Sequence, residues 1–185
     1  KKFLAIADYL LLAGESANII LSAKGLWPSH PLLSVQDIEM VKEINLTDQK
    51  IYLPLDVLAS SDQSGQGIIR QTGPAGVRLD EDIFDIGPET VNVYKAIIGQ
   101  ASAVFWAGPL GLFEVEAFSY GTKEVAWAIA KSTASLKLAG GGDTVAALRK
   151  FNLTDDFSFI STGGGAMLNF LAGEKLPGLA ALDLY

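Results

Sequence analysis

The 185-residue chain contains no cysteine, which removes disulfides and all thiolate chemistry and fits a cytoplasmic setting. It has one histidine, His30, within Pro28-Ser29-His30-Pro31. A single imidazole cannot make a multi-histidine metal site, the sequence supplies it with no catalytic partner, and a loop residue accounts for it. No long apolar run is present. The least polar stretch, Ile97 to Phe113, is interrupted by Gln100, Ser102, three glycines and Pro109, so it reads as a core strand and a turn, not a membrane span. Positive charge is also in short supply, with 14 Lys and Arg against 21 Asp and Glu and a net charge of −7. That balance argues against binding to nucleic acid or to an anionic membrane, so any phosphate bound here must be held locally. No secretory leader is readable. The chain opens Lys1-Lys2-Phe3, apparently inside a helix and without an initiating Met, and is read as a fragment of a longer protein.

What is present suits one domain, because 49% hydrophobic residues are ample for a core at this length. Apolar runs alternate with helical patterns, the signature of βαβ units on a mainly parallel sheet. Strands are expected over Tyr9 to Ala13, Lys50 to Leu53, Ala103 to Trp106, Leu136 to Ala139 and Phe157 to Ile160. Helices are expected over Ala17 to Lys24, Leu33 to Ile44, from Pro88 to about Ile98, and over Thr122 to Ser132. Pro88 suits a first helical position and Glu89 complements the dipole behind it. Between Val57 and Gly87 the pattern dissolves into Ser60-Ser61-Asp62-Gln63-Ser64-Gly65-Gln66-Gly67 and Thr72-Gly73-Pro74-Ala75-Gly76. This is loop chemistry, with a short strand or hairpin over Ile68 to Arg70 and Val77 to Leu79.

Two glycine runs carry the functional signal. Gly140-Gly141-Gly142-Asp143-Thr144 and Ser161-Thr162-Gly163-Gly164-Gly165 each follow an apolar stretch and each precede a helical pattern. Without Cβ atoms such a backbone turns sharply and presents its amides to an anion at a helix N-terminus. Asp143 could cap the following helix or hold Mg²⁺ beside a bound phosphate. The second run could wrap an anion, with the Ser161 and Thr162 hydroxyls as further donors, or form a bare tight turn. Glu114 lies beyond a strand end, where open α/β sheets bind ligands. It could accept hydrogen bonds from ribose or be a solvated loop acid like Glu116. Trp106 reads as core.

Together Leu53-Pro54-Leu55-Asp56-Val57, Asp85-Ile86-Gly87-Pro88-Glu89-Thr90, Trp106-Ala107-Gly108-Pro109-Leu110-Gly111-Leu112-Phe113-Glu114, the two glycine runs and Leu176-Pro177-Gly178-Leu179-Ala180-Ala181-Leu182 resemble phosphoglycerate kinase, in order and over nearly the whole chain. The resemblance is to the C-terminal, nucleotide-binding domain alone, and implies a Rossmann-like three-layer αβα fold. It implies reversible phosphoryl transfer between 1,3-bisphosphoglycerate and ADP, with ADP or ATP and Mg²⁺ bound here and phosphoglycerate on an absent N-terminal domain. On that resemblance Gly14, Leu112 and Glu114 would hold the nucleoside, with Glu114 at the ribose. Gly140, Gly141, Gly142, Asp143 and Thr144 would face the phosphates with Asp143 at Mg²⁺, and Gly163 and Gly164 would donate amides near the transferring phosphoryl group. Two departures weaken it. Ala107 stands where the family usually has Asn near the phosphates. Ala13-Gly14-Glu15-Ser16-Ala17-Asn18 stands where it usually has Gly-Gly-Gly-Met-Ala-Asn. The basic cluster for phosphoglycerate and a lysine-bearing strand would lie outside this chain, which alone would have no appreciable turnover. A non-catalytic nucleotide- or protein-binding module is the competing reading.

Overall fold

A computed structural model describes residues 2–27 and 33–184, so His30 lies outside the described residues. The helical turn α1 (Lys2–Ile6) leads into β1 (Leu10–Leu11), which pairs in parallel with β2 (Ile51–Tyr52). Helices α2 (Gly14–Ala23) and α3 (Val35–Lys42) connect them. The Ser34 hydroxyl accepts from the Asp37 amide and the Asp37 carboxylate accepts in return from the Ser34 amide, a capping box that sets the start of α3. The first expected strand shrinks to two residues, and α2 starts three residues before the predicted Ala17.

The expectation of loop between Val57 and Gly87 is corrected. The segment holds an antiparallel sheet in which β3 (Val57–Ser60) lies between β4 (Arg70–Thr72) and β5 (Asp82–Ile86). Val77 to Leu79 is no strand. Pro74 to Gly76 form a 3₁₀ turn, Val77 is buried and Leu79 is exposed. Arg70 holds this excursion together. Its Nε and Nη2 donate to the two carboxylate oxygens of Glu81 at 2.7 and 2.6 Å, and the Arg78 amide donates to Glu81 at 3.0 Å. The Arg70 guanidinium holds the Glu81 carboxyl at about 2, well below its usual value.

The second half follows the predicted alternation closely. Its helices are α4 (Pro88–Ile98), α5 (Tyr120–Lys131), α6 (Gly142–Lys150), α7 (Gly164–Leu171) and the short α8 (Pro177–Ala180). They alternate with β6 (Ala103–Ala107), β7 (Leu136–Gly140) and β8 (Phe159–Ser161), a parallel sheet in sequence order. Trp106 and Ala139 from this sheet share one core with Val91 and Tyr94 of α4, Val125 and Ile129 of α5, and Leu148 of α6. Tyr94 reaches across to donate its hydroxyl to the carbonyls of Leu12 and Tyr52 at the ends of β1 and β2. A smaller core joins Leu21 of α2 to Val57 and Ala59 of β3. The product is a Rossmann-like αβα fold that also carries the antiparallel strands around β3.

Two buried carboxylates tie the strands to the helices. Asp56, just before β3, accepts from the Thr90 amide and hydroxyl at 2.8 Å each, from the Glu89 amide at 3.2 Å and from Gln71 Nε2 at 2.7 Å. It thus caps α4 from a distance, a place where Gly87 has no side chain to do so. Asp85, in β5, accepts from the Gly121 amide in the first turn of α5 at 2.7 Å and from the Ile86 amide at 2.9 Å.

Asp56→Ala leaves several buried donors without a partner, and urea unfolding should show a loss of about 3 kcal/mol. A loss below about 1 kcal/mol would mean that water replaces the carboxylate. For Asp85, burial pushes the carboxyl from 3.8 up to about 7, against the amides of Gly121 and Ile86. The folded state therefore holds this proton more tightly than the unfolded chain does. Its contribution to stability is full below 3.8 and is lost as pH rises through about 7. Urea midpoints measured across that window should fall for the wild type relative to Asp85→Asn, and parallel curves would refute the assignment.

Candidate functional site

Parallel pairing brings Ala107, Gly140 and Ser161 into register at the carboxyl ends of β6, β7 and β8. This is the edge at which such sheets bind ligands. From β7 the chain turns into α6 through Gly141, whose φ of +108° strongly favours glycine. The Gly141 amide donates to the Ser161 carbonyl at 3.0 Å, and a Cβ on Gly164 would lie 2.8 Å from the Gly141 Cα. The two glycine turns are therefore packed backbone to backbone. Gly140 is buried, with the Met167 side chain of α7 lying over it in the space a Cβ would need.

The capping role open to Asp143 is not the one it takes. It sits in the first turn of α6, exposed, and among the described residues its carboxylate accepts no hydrogen bond. No side chain caps α6 or α7 either. The amides of Gly142 and Asp143, and of Gly164 and Gly165, therefore point out of their helices without intrahelical partners. The Gly163 amide differs, because it donates to Ser161 Oγ at 3.2 Å. Thr144 also differs from expectation. Its side chain is buried, and its hydroxyl accepts from the Gly108 amide at 2.8 Å and does not face outward.

That bond is one of several that hold the Gly108 to Leu112 loop. Trp106, in the core as expected, donates Nε1 to the Gly108 carbonyl at 2.7 Å. Thr122, buried in the first turn of α5, accepts from the Leu110 and Gly111 amides at 3.0 and 3.1 Å, and the Leu112 amide donates to the Phe84 carbonyl at 2.7 Å. Gly14 lies against the same loop, since a Cβ there would come 2.9 Å from the Pro109 carbonyl oxygen. Lys150 donates to the carbonyls of Phe113 and Glu114 at 2.7 and 3.3 Å, while the exposed Glu114 carboxylate has no partner among the described residues.

Between α2, β5 and this loop is a cavity of about 260 Å³, lined by Gly14, Leu112, Glu15, Asn18, Gln63 and Asp85 among others. An adjoining, more open recess of about 470 Å³ shares Glu15, Asn18 and Gln63 and adds Ser61, Trp27 and Asp82. Among the described residues no Lys or Arg lines either. Of the residues predicted for the site, Gly14 and Leu112 line the cavity. Gly140 to Thr144 and Gly163 to Gly164 form a neighbouring rim, joined to it through Gly108 and Thr144. Glu114 stands outside the cavity lining. Sequence reasoning missed Thr122, Gln63 and Asp85 as parts of the site. Asp85 stood in a quoted motif and Thr122 at the start of an expected helix, with hydrogen bonds that no spacing reveals, and Gln63 in a stretch read as plain loop. Among the described residues no group of three or more acidic or histidine side chains could cage a metal ion, and no helix is long and apolar enough to cross a membrane.

The model of the phosphoglycerate kinase family matches residues 1–174. A phosphoglycerate kinase from Coxiella burnetii is 40% identical over 179 residues, covering 95% of this chain and 46% of the relative. One from Baumannia cicadellinicola is 41% identical over 181 residues, covering 98% and 46%. The solved Coxiella burnetii structure superposes with a TM-score of 0.82 over 98% of this chain and 48% of its own. That of phosphoglycerate kinase from Pyrococcus horikoshii does so with a TM-score of 0.78 at 34% identity, over 99% and 47%. The chain thus spans about half the length of the relatives it matches. With this sequence agreement joined to a shared fold, the chain belongs to the phosphoglycerate kinase family.

Proposed function

We propose that this chain is the Mg-nucleotide half of a phosphoglycerate kinase, serving reversible phosphoryl transfer between 1,3-bisphosphoglycerate and ADP in glycolysis, in the cytoplasm. The observation that carries the reading is the pair of uncapped helix N-termini, α6 and α7, at the ends of adjacent parallel strands. Their free amides are the donors a phosphate chain needs, and the dipoles behind them favour negative charge. The cavity and its recess have acidic Glu15 and Asp82 about them and, among the described residues, no Lys or Arg. It suits the uncharged base, with Gly14 and Leu112 against it, and leaves the phosphates to the glycine turns.

Asp143 fits Mg²⁺. Its carboxylate is exposed and uncommitted, and an ion shared with substrate phosphates takes one or two carboxylates from a protein, without a dedicated cage. When bound, Mg²⁺ neutralises charge on the phosphates. Glu114, with no partner among the described residues, accepts from the ribose hydroxyls. Gly164 offers an open amide to the transferring group. Gly163 must first release Ser161 Oγ, so Gly164 is the readier donor. Phosphoryl transfer depends on positioning and on stabilising charge, so turnover also requires the acceptor site and the cations of a second domain. Two features suit a covering domain: α7 buries no residue, and Phe159 on the terminal strand β8 is 60% exposed.

A specific observation favours the second reading, a module that binds nucleotide or protein without transfer. Ala107 is exposed at the end of β6, opposite Gly140, with no side-chain donor to offer. Ala107→Asn, with Glu15→Gly, in the longer parent protein separates the two. A dead parent revived by these changes supports the module, and an already active parent removes it.

Calorimetric titration of the chain with ADP should show saturable binding that strengthens with Mg²⁺, and Asp143→Ala should lose the Mg²⁺ dependence. Absence of ADP binding in either condition would overturn the nucleotide reading.

A further inference from the structure

We propose that Glu15, Asn18 and Gln63 read the edge of the nucleobase, and that Glu15 makes this cavity accept guanine at least as well as adenine. The inference rests on the nucleotide reading above and concerns the one part of the ligand that the phosphate and ribose contacts do not define.

Much of the cavity lining is apolar side chain or backbone, from Ile83, Phe84, Pro109, Leu110 and Leu112. Glu15, Asn18 and Gln63 add three polar side chains that line both the cavity and the adjoining recess, and none has a hydrogen-bond partner among the described residues. Glu15 and Asn18 stand three residues apart on α2, so they share a helix face. Gln63 comes from a loop whose backbone is held by local hydrogen bonds. There the Asp62 carboxylate accepts from the Ser64 amide and hydroxyl at 2.9 and 2.8 Å, and the Gly65 amide donates to the Asp62 carbonyl. A few polar groups on an apolar lining give a pocket its orientation and selectivity.

Their inventory fits one purine edge better than the other. A carboxylate only accepts, and does so with two oxygens side by side. Guanine presents two adjacent donors, N1–H and the N2 amino group, which such a pair can receive, and its O6 and N7 remain for the amide groups of Asn18 and Gln63. Adenine presents one donor, the N6 amino group, beside the N1 lone pair, which a carboxylate repels. The carboxamides can serve adenine, whereas Glu15 cannot do so with both oxygens.

The test compares two ligands that share ribose, diphosphate and metal, so that only the base differs. The chain and its Glu15→Gln variant are titrated with GDP and with ADP, each with Mg²⁺, by calorimetry. GDP should bind the wild type at least as tightly as ADP. Glu15→Gln, which replaces the paired acceptors with a carboxamide that suits adenine, should move the ratio of dissociation constants toward ADP by roughly tenfold, the low end of what one bidentate contact discriminates. Tighter binding of ADP than GDP by the wild type overturns the inference and leaves the nucleotide reading standing, as does a ratio that Glu15→Gln does not move. Binding of neither nucleotide overturns both.

Discussion

Every helix begins with amides that have no partner within it, and this domain is organised by how those amides are satisfied. Asp56 and Asp85, both buried, reach from the strands around β3 to the first turns of α4 and α5. Thr122 in the first turn of α5 and Thr144 in the first turn of α6 accept from the loop after β6. These side chains join strands, helices and loops into one body, and they leave the starts of α6 and α7 as the uncapped ends on the edge of the parallel sheet. The site is thus the part of a general requirement that the fold does not meet internally.

Charge follows the same division. An acidic chain can bind an anion only where backbone dipoles outweigh side-chain repulsion, and the glycine turns bring backbone forward while keeping side chains away. Nearby, Glu15 and Asp82 line a recess that repels phosphate. One nucleotide lying across both environments would have its orientation set by electrostatics before any specific contact forms.

The sequence was informative where signals are local. The βαβ rhythm after Gly87, Pro88 at the start of α4, and both glycine turns are visible in residue order, because turn chemistry and helical periodicity act over a few positions. It was least informative between Val57 and Gly87. There β4 is Arg70-Gln71-Thr72, without an apolar residue, and the strand exists because Arg70 pairs with Glu81 and because β3 lies beside it. A strand made by its neighbours leaves no pattern of its own.

The same limit applies within the site. Residue order alone pointed to an α/β fold with two glycine turns, and it put Asp143, Glu114 and the glycines after apolar runs, since φ preferences and strand–turn–helix spacing are properties of short segments. Which of those residues are free to act was decided by the tertiary structure. Asp143 and Glu114 are exposed and uncommitted, Thr144 is turned inward to Gly108, and Gly140 is buried beneath Met167. A hydrogen bond between residues 36 positions apart depends on how strands and helices pack, and packing is a property of the whole chain, not of any segment within it.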